Sequence, residues 1–461
     1  MTTERTTGDA RVTEGVAGEP GAPAAEAGLW RNRSYRLLLT GATAEDVGNA
    51  IGLLAVPLLA YAVTESLVAA GVIAFVGRLG SVVMALPAGV IVDRVDRRRL
   101  IVAGAAVAAA AWLSVVVAGL VDGLSVTAPH LAGAFFVSSM VGSLMEPAGT
   151  AALHAVVPKS QLGQAMAVAQ GRDAAATLLA GPLSGLLYGI GAVLPFVASA
   201  VGRLVEVVTV SMVRRPLNGD LAAARAERPT AALAEGLRFV FGVPLFRSVL
   251  GLFILVNVVV NGMMVAVNLY LVSVGTRPVL IGLVYTAVGV GVLAGSVLAG
   301  VLVRRVRVSV LTAMSLGVSG VAVAAMALFP TYWGFLAALV GMMLFAPALN
   351  AGMLSYVTAI TPGHMQGRMS ATLGLTGLFA GPAAPLVGSL LLAQAGVVAA
   401  MWVFAASLGV LFLALFLVRP LWRIGLPDTW AADVIEWPTP DASSATGRRG
   451  AGPRTSRRPR R

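Results

Sequence analysis

The stretch Gly89-Val90-Ile91-Val92-Asp93-Arg94-Val95-Asp96-Arg97-Arg98-Arg99 decides how the rest of the chain is read. Between Asp93 and Arg99 it places four arginines and two aspartates in seven residues. Long apolar segments flank it on both sides. Charge at that density is excluded from hydrocarbon, so the run marks a point where the chain emerges into water.

The composition around it agrees. The 461 residues are 57% hydrophobic and only 12% charged, with a mean hydropathy of +0.86, whereas a soluble domain carries about 25% charged residues. Ala, Val, Leu and Gly fill runs of roughly 20 residues, the length that crosses a bilayer. The chain reads as an all-α integral membrane protein. Without cysteine it has neither disulfides nor thiolate metal sites. His130, His154 and His364 form no HExxH-like pair, so no metal site is expected. The net charge of +12 does not point to nucleic acid. Its excess lies in short loops and in a tail from Arg448 to Arg461 whose seven arginines have no interleaved aromatics. Such a tail is expected to be disordered or to lie on anionic lipid.

Twelve spans are expected, at 36–63, 67–91, 100–121, 129–152, 163–189, 193–213, 246–272, 280–303, 308–329, 331–358, 369–393 and 397–418. Around them the chain divides into a disordered tail (1–34), a first six-helix bundle (35–213), a polar linker (214–244), a second bundle (245–418) and a basic tail (419–461). The first residues lack the charged start and apolar core of a signal peptide. One set of alternate connections holds Arg94 to Arg99, Lys159, Arg214, Arg215, Arg225, Arg228, Arg304, Arg305, Arg307 and Arg368. The other set has Arg277 as its only arginine. The positive-inside rule then places the first set and both termini in the cytoplasm of a cell-membrane protein. The halves look duplicated: Gly89-Val-Ile-Val-Asp-Arg-Val resembles Gly300-Val-Leu-Val-Arg-Arg-Val, Pro147 matches Pro347, and Gly181-Pro182 recurs as Gly381-Pro382. Parallel six-helix repeats are one basis of alternating access.

On these residues the chain resembles the major facilitator superfamily. Gly89, Asp93, Arg94, Arg97 and Arg98 follow the signature of its loop after span two, with Asp96 where the superfamily usually has glycine. The Asp-Arg-x-Asp-Arg-Arg variant is similar to the drug-exporter branch that includes macrolide and siderophore efflux proton antiporters. Asn32-Arg-Ser-Tyr-Arg36, Glu146-Pro147-Ala148, Leu194-Pro195-Phe196 and Gly367-Arg368-Met369-Ser370 add to the likeness, over roughly residues 30–420. The resemblance implies two pseudo-symmetric six-helix bundles. It also implies a latch in which Gly89 permits close helix approach and Asp93, flanked by Arg94 and Arg97, caps the start of span eleven. A carboxylate there is favoured by the helix dipole. The copy after span eight has Arg304 where Asp93 stands, which weakens a second latch. Gly181, Pro182 and Gly185 resemble the antiporter motif, in which a Gly-Pro kink shapes the inner leak barrier.

Ionisable groups near the bilayer centre cost about 2.5–3.5 kcal/mol each on insertion scales. Glu45, Asp46, Arg78, Glu146, Arg172, Asp173, Arg203 and Glu206 all fall within the first six spans. The later spans carry only amides such as Asn257, Asn261, Asn268 and Asn350. The first half is therefore expected to do the ion chemistry, and Asn257, Asn261 and Asn350 to line the substrate cavity. In the superfamily spans one, two, four and five border that cavity. This makes Asp46, Glu45, Glu146, Arg172, Asp173 and Arg78 the proton-coupling candidates, with Asp46 and Glu146 the protonation sites and Arg172 their basic partner. Arg203 and Glu206, three apart on a helix taken as peripheral, read as a local structural pair.

The expected function is proton-coupled efflux of a small amphipathic organic compound, an antibiotic, drug or secondary metabolite. The proton gradient supplies the energy and no cofactor is needed. The expected partners are that compound, protons and the lipid bilayer, with no nucleic acid, and the chain acts as a monomer. A proton-coupled importer uses the same scaffold, and a non-transporting scaffold or sensor is the alternative of another class. With neither a GxxxxGK[ST] run nor a catalytic constellation, the chain reads as neither an ATP-driven pump nor an enzyme.

Overall fold

A computed structural model describes residues 28–121, 126–218, 238, 241–362 and 366–433. The expected tails at 1–34 and 419–461 and the linker at 214–244 therefore lie largely outside the described residues. The first six long helices are α1 (Arg33–Thr64), α2 (Leu67–Arg94), α3 (Arg97–Val121), α4 (Ala128–Val156), α5 (Leu162–Ile190) and α6 (Leu194–Ser211). After the linker come α7 (Pro244–Ser273), α8 (Pro278–Arg305), α9 (Val308–Leu328), α10 (Tyr332–Met342), α11 (Ala346–Ile360), α12 (Gln366–Leu415) and the short α13 (Arg419–Trp422).

Local chemistry sets the helix starts. The side chains of Asn32, Ser66 and Thr331 accept hydrogen bonds from the amides of Tyr35, Ala69 and Gly334, which satisfies free N–H groups at the starts of α1, α2 and α10. Prolines stand in the first turn of α4, α6, α7 and α8, where no helical N–H partner is lost.

Three of the expected spans take a different form. The tenth is broken: α10 stops at Met342 and α11 begins at Ala346, with Pro347 in its first turn. Proline cannot donate to the preceding turn and crowds its carbonyl, so the chain restarts there, whereas α4 runs unbroken through Pro147. The eleventh and twelfth form one element, α12, divided at Gly396, whose φ of 73° and ψ of 171° turn the chain between two arms. That backbone conformation is open to glycine and costly for other residues.

Trp112 of α3 packs in the core of the first half at 5.1 Å from the Phe196 ring of α6 and 6.3 Å from Phe135 of α4. Its indole donates to Ser138 Oγ at 2.9 Å, so the tryptophan is buried without an orphaned N–H.

The two halves meet through α5 against α8 and α2 against α12, and both crossings rest on glycine. A Cβ at Gly181 would overlap the Gly282 carbonyl, one at Gly185 the Pro278 carbonyl, and one at Gly71 the Ser389 side chain. Small residues at such crossings let backbones touch in the bilayer. Eighteen residues make five helical turns, so Gly89 lies on the same face of α2 as Gly71, and Gly300 on the same face of α8 as Gly282. Among the described residues, nothing lies within 4 Å of a Cβ at Gly89 or at Gly300. Among the described residues the α5–α8 crossing is therefore closed at Gly282 and open at Gly300, toward the end that bears the arginines. The close approach expected at Gly89 falls opposite the start of α12, whose side chains lie outside the described residues.

The expected latch between Asp93 and the start of span eleven falls on side chains outside the described residues, and the described contacts of the loop after α2 are these. Asp93 is 60% exposed, and its ion-pair partner among the described residues is Arg97 of the next helix, at 3.8 Å. Arg94 is exposed in the last turn of α2. The side chains at the start of α12, apart from Met369, lie outside the described residues up to 379. Asp96 caps α3 by accepting from Arg99 N at 2.9 Å and receives Asn218 Nδ2 at 2.6 Å. Arg97 donates from its backbone to Asn218 Oδ1 at 2.9 Å and from Nη1 to Leu217 O at 3.1 Å, while Arg98 Nη2 donates to Arg215 O at 2.9 Å. The motif clasps the first residues of the linker.

Two tests follow from this arrangement. Leu178 packs where a Cβ at Gly289 would sit, and the chain has no native cysteine. The pair Leu178→Cys and Gly289→Cys should form a disulfide under mild oxidant, read as a proteolysis-resistant link between the halves on a gel. Failure to cross-link would refute the crossing. The Arg99 amide, followed by the Asn218 side chain and the Arg99 and Arg98 charges, holds the Asp96 carboxyl below its ordinary value of 3.8. A depressed carboxylate stabilises the fold above its unfolded pKa and stops doing so as pH falls through its folded one. Asp96→Asn should therefore lower the melting temperature at neutral pH, with the gap closing as pH drops below the ordinary aspartate range. A gap that ignores pH in differential scanning fluorimetry would contradict this.

Candidate functional site

Glu45 and Asp46 sit mid-helix in α1, and adjacent helical positions point about 100° apart. The fold answers that divergence with two arginines from two helices. Arg172 of α5 approaches Asp46 Oδ2 at 2.7 Å through Nη2, and its Nε and Nη2 donate to the neighbouring Asp173 at 3.1 and 2.9 Å. Arg203 of α6 approaches Glu45 Oε1 at 2.7 Å through Nη2, and its Nη1 lies 3.8 Å from Glu206 Oε2. Asn49, one turn beyond Glu45, accepts from Arg203 Nη2 at 3.4 Å. The close packing that permits this comes from Gly41, Gly48 and Gly202, where an added Cβ would collide with the facing helix.

Four carboxylates thus face two guanidiniums. Arg203 is 1% exposed and Glu45 14%, whereas Asp46 at 32% and Asp173 at 51% reach the open space. Arg203 Nε and Nη1 and Glu206 Oε2 have no hydrogen-bond partner among the described residues. Buried charge with incomplete pairing is costly, and a carboxylate surplus in low dielectric is relieved by taking up a proton. The arrangement can bind and release protons beside a cavity.

That cavity has a volume of about 610 Å³, and its described wall comes from α1–α6. It is lined by Glu45, Asp46, Arg78, Glu146, Arg172 and Asp173, together with Glu206. A volume in this range accommodates a drug-sized molecule. Arg203 stands directly behind the wall.

Several expected placements are corrected. Arg203 and Glu206 do form the expected pair, at 3.8 Å, but it is not only local: α6 packs along α1, and Arg203 also joins Glu45 at 2.7 Å. Glu146 lines the cavity but is exposed, and Arg172 pairs with Asp46 and Asp173 instead. Asn257, Asn261 and Asn350 lie outside this cavity. The amides of Asn257 and Asn261 turn back to the carbonyls of Phe253 and Asn257 on their own helix, at 2.9 and 2.8 Å. In the second half it is Asn268 that is buried, donating to Tyr285 OH at 2.9 Å. Helix α5 is continuous through Pro182, and Gly181 and Gly185 lie in the crossing with α8. The signal for Arg203 was present in the sequence. Glu45 and Asn49 are one turn apart on α1, on a face of small residues that matches Gly202, Arg203 and Glu206.

The profile of the Major Facilitator Superfamily matches residues 38–307 and 261–432. The multidrug efflux pump Tap of Mycolicibacterium fortuitum is 28% identical, over 83% of this chain and 95% of its own. A bacterial homologue of the human lysosomal transporter Spinster superposes with a TM-score of 0.65 at 15% identity, covering 84% of this chain and 97% of that one. A bacterial homologue of the iron transporter ferroportin gives 0.63 at 18% identity, covering 88% and 100%. The structural likenesses show the shared fold. The sequence match spans both halves, and the chain belongs to the Major Facilitator Superfamily, a family of membrane transporters.

Proposed function

We propose that this transporter exports a small amphipathic organic compound in exchange for protons. The observation that carries the reading is the surplus of acids over arginines around one cavity, at Glu45, Asp46, Asp173 and Glu206 against Arg172 and Arg203. The efflux direction is supported by the relatedness to a multidrug efflux pump. The arginine-rich connections favour the cytoplasm for that end, which puts both termini inside a cell membrane. The open space at Gly300, at that end of the α5–α8 crossing, supports an inward-open state, with the cavity ready to load from the cytoplasm. One chain contains both halves and the whole cavity, which favours a monomer.

Helix α5 links proton occupancy to shape. It carries Arg172 in the network and, two and a half turns on, Gly181 and Gly185 in the crossing with α8. Between them Ser184 Oγ donates to Ile51 O of α1 at 2.8 Å. Protonating Asp46 removes the charge that holds Arg172, frees α5 from α1, and so alters the seat of the crossing. In exchange, substrate leaves outward and the proton enters inward. A proton moving inward across 100 mV releases about 2.3 kcal/mol, enough to sustain roughly fortyfold accumulation outside at about 1.4 kcal/mol per tenfold.

The test uses everted vesicles with the interior made acid and a fluorescent amphipathic drug outside. Wild type should take up the drug when the gradient is imposed. Asp46→Asn should reduce gradient-driven uptake more than tenfold, while drug-for-drug exchange, which needs no net proton movement, persists. Gradient-driven uptake by Asp46→Asn at the wild-type rate would end the coupling reading. Uptake only with the gradient reversed would make the protein an importer.

A further inference from the structure

Three arginines lie within the membrane part of the first half, and two of them rest on carboxylates at 2.7 Å. The third does not. Arg78 lines the cavity, yet no carboxylate lies within 4.0 Å of it, and its guanidinium makes no hydrogen bond among the described residues. The local contact at this residue is the backbone carbonyl, which accepts from Ser81 Oγ at 2.8 Å.

Its aim follows from helix geometry. Seven residues make nearly two turns, so Arg78 lies on the face of α2 that bears Gly71 and meets the second half. Tyr285 of α8 is close enough to act on it electrostatically, and Asn268 of α7 holds that phenol. Gly77 and Gly80 press the adjoining face of α2 onto Phe135 and the Phe136 carbonyl of α4, which leaves Arg78 no room to swing toward that helix. A guanidinium stays charged at any working pH and is shaped to receive an anionic oxygen pair. Kept without a counter-ion deep in a membrane protein, it is costly unless an anion arrives.

We propose that Arg78 is the anion subsite of the cavity and that the transported class is zwitterionic amphipaths, the acid group on Arg78 and the ammonium on the acid surplus around Asp46. This rests on the export reading and deepens it: the ammonium competes with protons at one end of the molecule, and the carboxylate fixes its orientation at the other. Trp112 and Phe135 line the same cavity and supply apolar wall for the skeleton between the two charges.

Ciprofloxacin, its methyl ester and its N-acetyl derivative share one fluorescent skeleton and present a zwitterion, a cation and an anion. Equilibrium dialysis against the purified full-length protein in detergent measures all three without a gradient. Wild type should hold the zwitterion about tenfold tighter than the ester, the weight of one charge-assisted hydrogen bond. Arg78→Gln should erase that preference and leave the ester unchanged, and Arg78→Lys should keep most of it. Should Arg78→Gln not yield monodisperse protein, the comparison of wild type with Arg78→Lys decides. Equal binding of ester and zwitterion by wild type, an equal loss of all three ligands in Arg78→Gln, or binding of none would overturn the proposal. Because no gradient is used, such a result leaves the export reading standing. Loss of gradient-driven uptake with charge preference intact would strike that reading alone.

Discussion

Two guanidiniums held among four carboxylates inside a bilayer are the constraint on which the rest of this protein turns. Each arginine reaches one carboxylate of α1 at 2.7 Å, and each keeps a second acid of its own helix nearby. Water would screen such a surplus, but the low dielectric around Glu206 and Arg203 does not. The surplus therefore demands either a bound cation or a proton, and a cavity that exposes Asp46 and Asp173 offers the route for both.

In the proposed exchange, geometry converts that demand into movement. The network lies wholly within the first half, so it cannot pull the halves together by direct charge pairing. Its lever is α5, which leaves the network at Arg172 and reaches the second half at Gly181 and Gly185. The partner crossing, Gly71 against Ser389, stands on the other side of the pseudo-twofold axis. Gly71 and Gly89 are separated by the same eighteen residues as Gly282 and Gly300. Among the described residues Gly71 and Gly282 are closed against the opposite half, and Gly300 is open. Two hinges of equal design at the closed end give a rocking motion of the kind that alternating access requires. The loop after α2 takes part through the linker, whose first residues it grips by way of Asp96, Arg97 and Arg98.

The membrane spans, the duplication and the family were legible because hydropathy and glycine spacing act locally along the chain. The restart at Pro347 and the turn at Gly396 needed the packing around them, since Pro147 sits in a continuous helix with a similar local sequence. Within the site, the ionisable residues could be found by their cost in hydrocarbon, but their pairing could not. Arg203 was assigned to a peripheral helix by resemblance, and its bond to Glu45 across 158 positions depends on how closely α1 and α6 approach. The amides of Asn257 and Asn261 bond one turn back along their own helix, a pairing that an asparagine's position in the sequence does not reveal. The loop motif's hold on Asn218 escaped notice because side-chain partners in a polar linker leave no periodic trace.

The most direct measurement is the infrared difference spectrum of the purified protein between alkaline and acidic buffer, read in the protonated-carboxyl region. The account predicts a carboxylic-acid band that grows on acidification through the physiological range, is diminished in Asp46→Asn, and shifts when Arg172 is replaced by glutamine. A spectrum in which no carboxyl group takes up a proton over that range would contradict it, because the acids would then be permanently ionised and only structural.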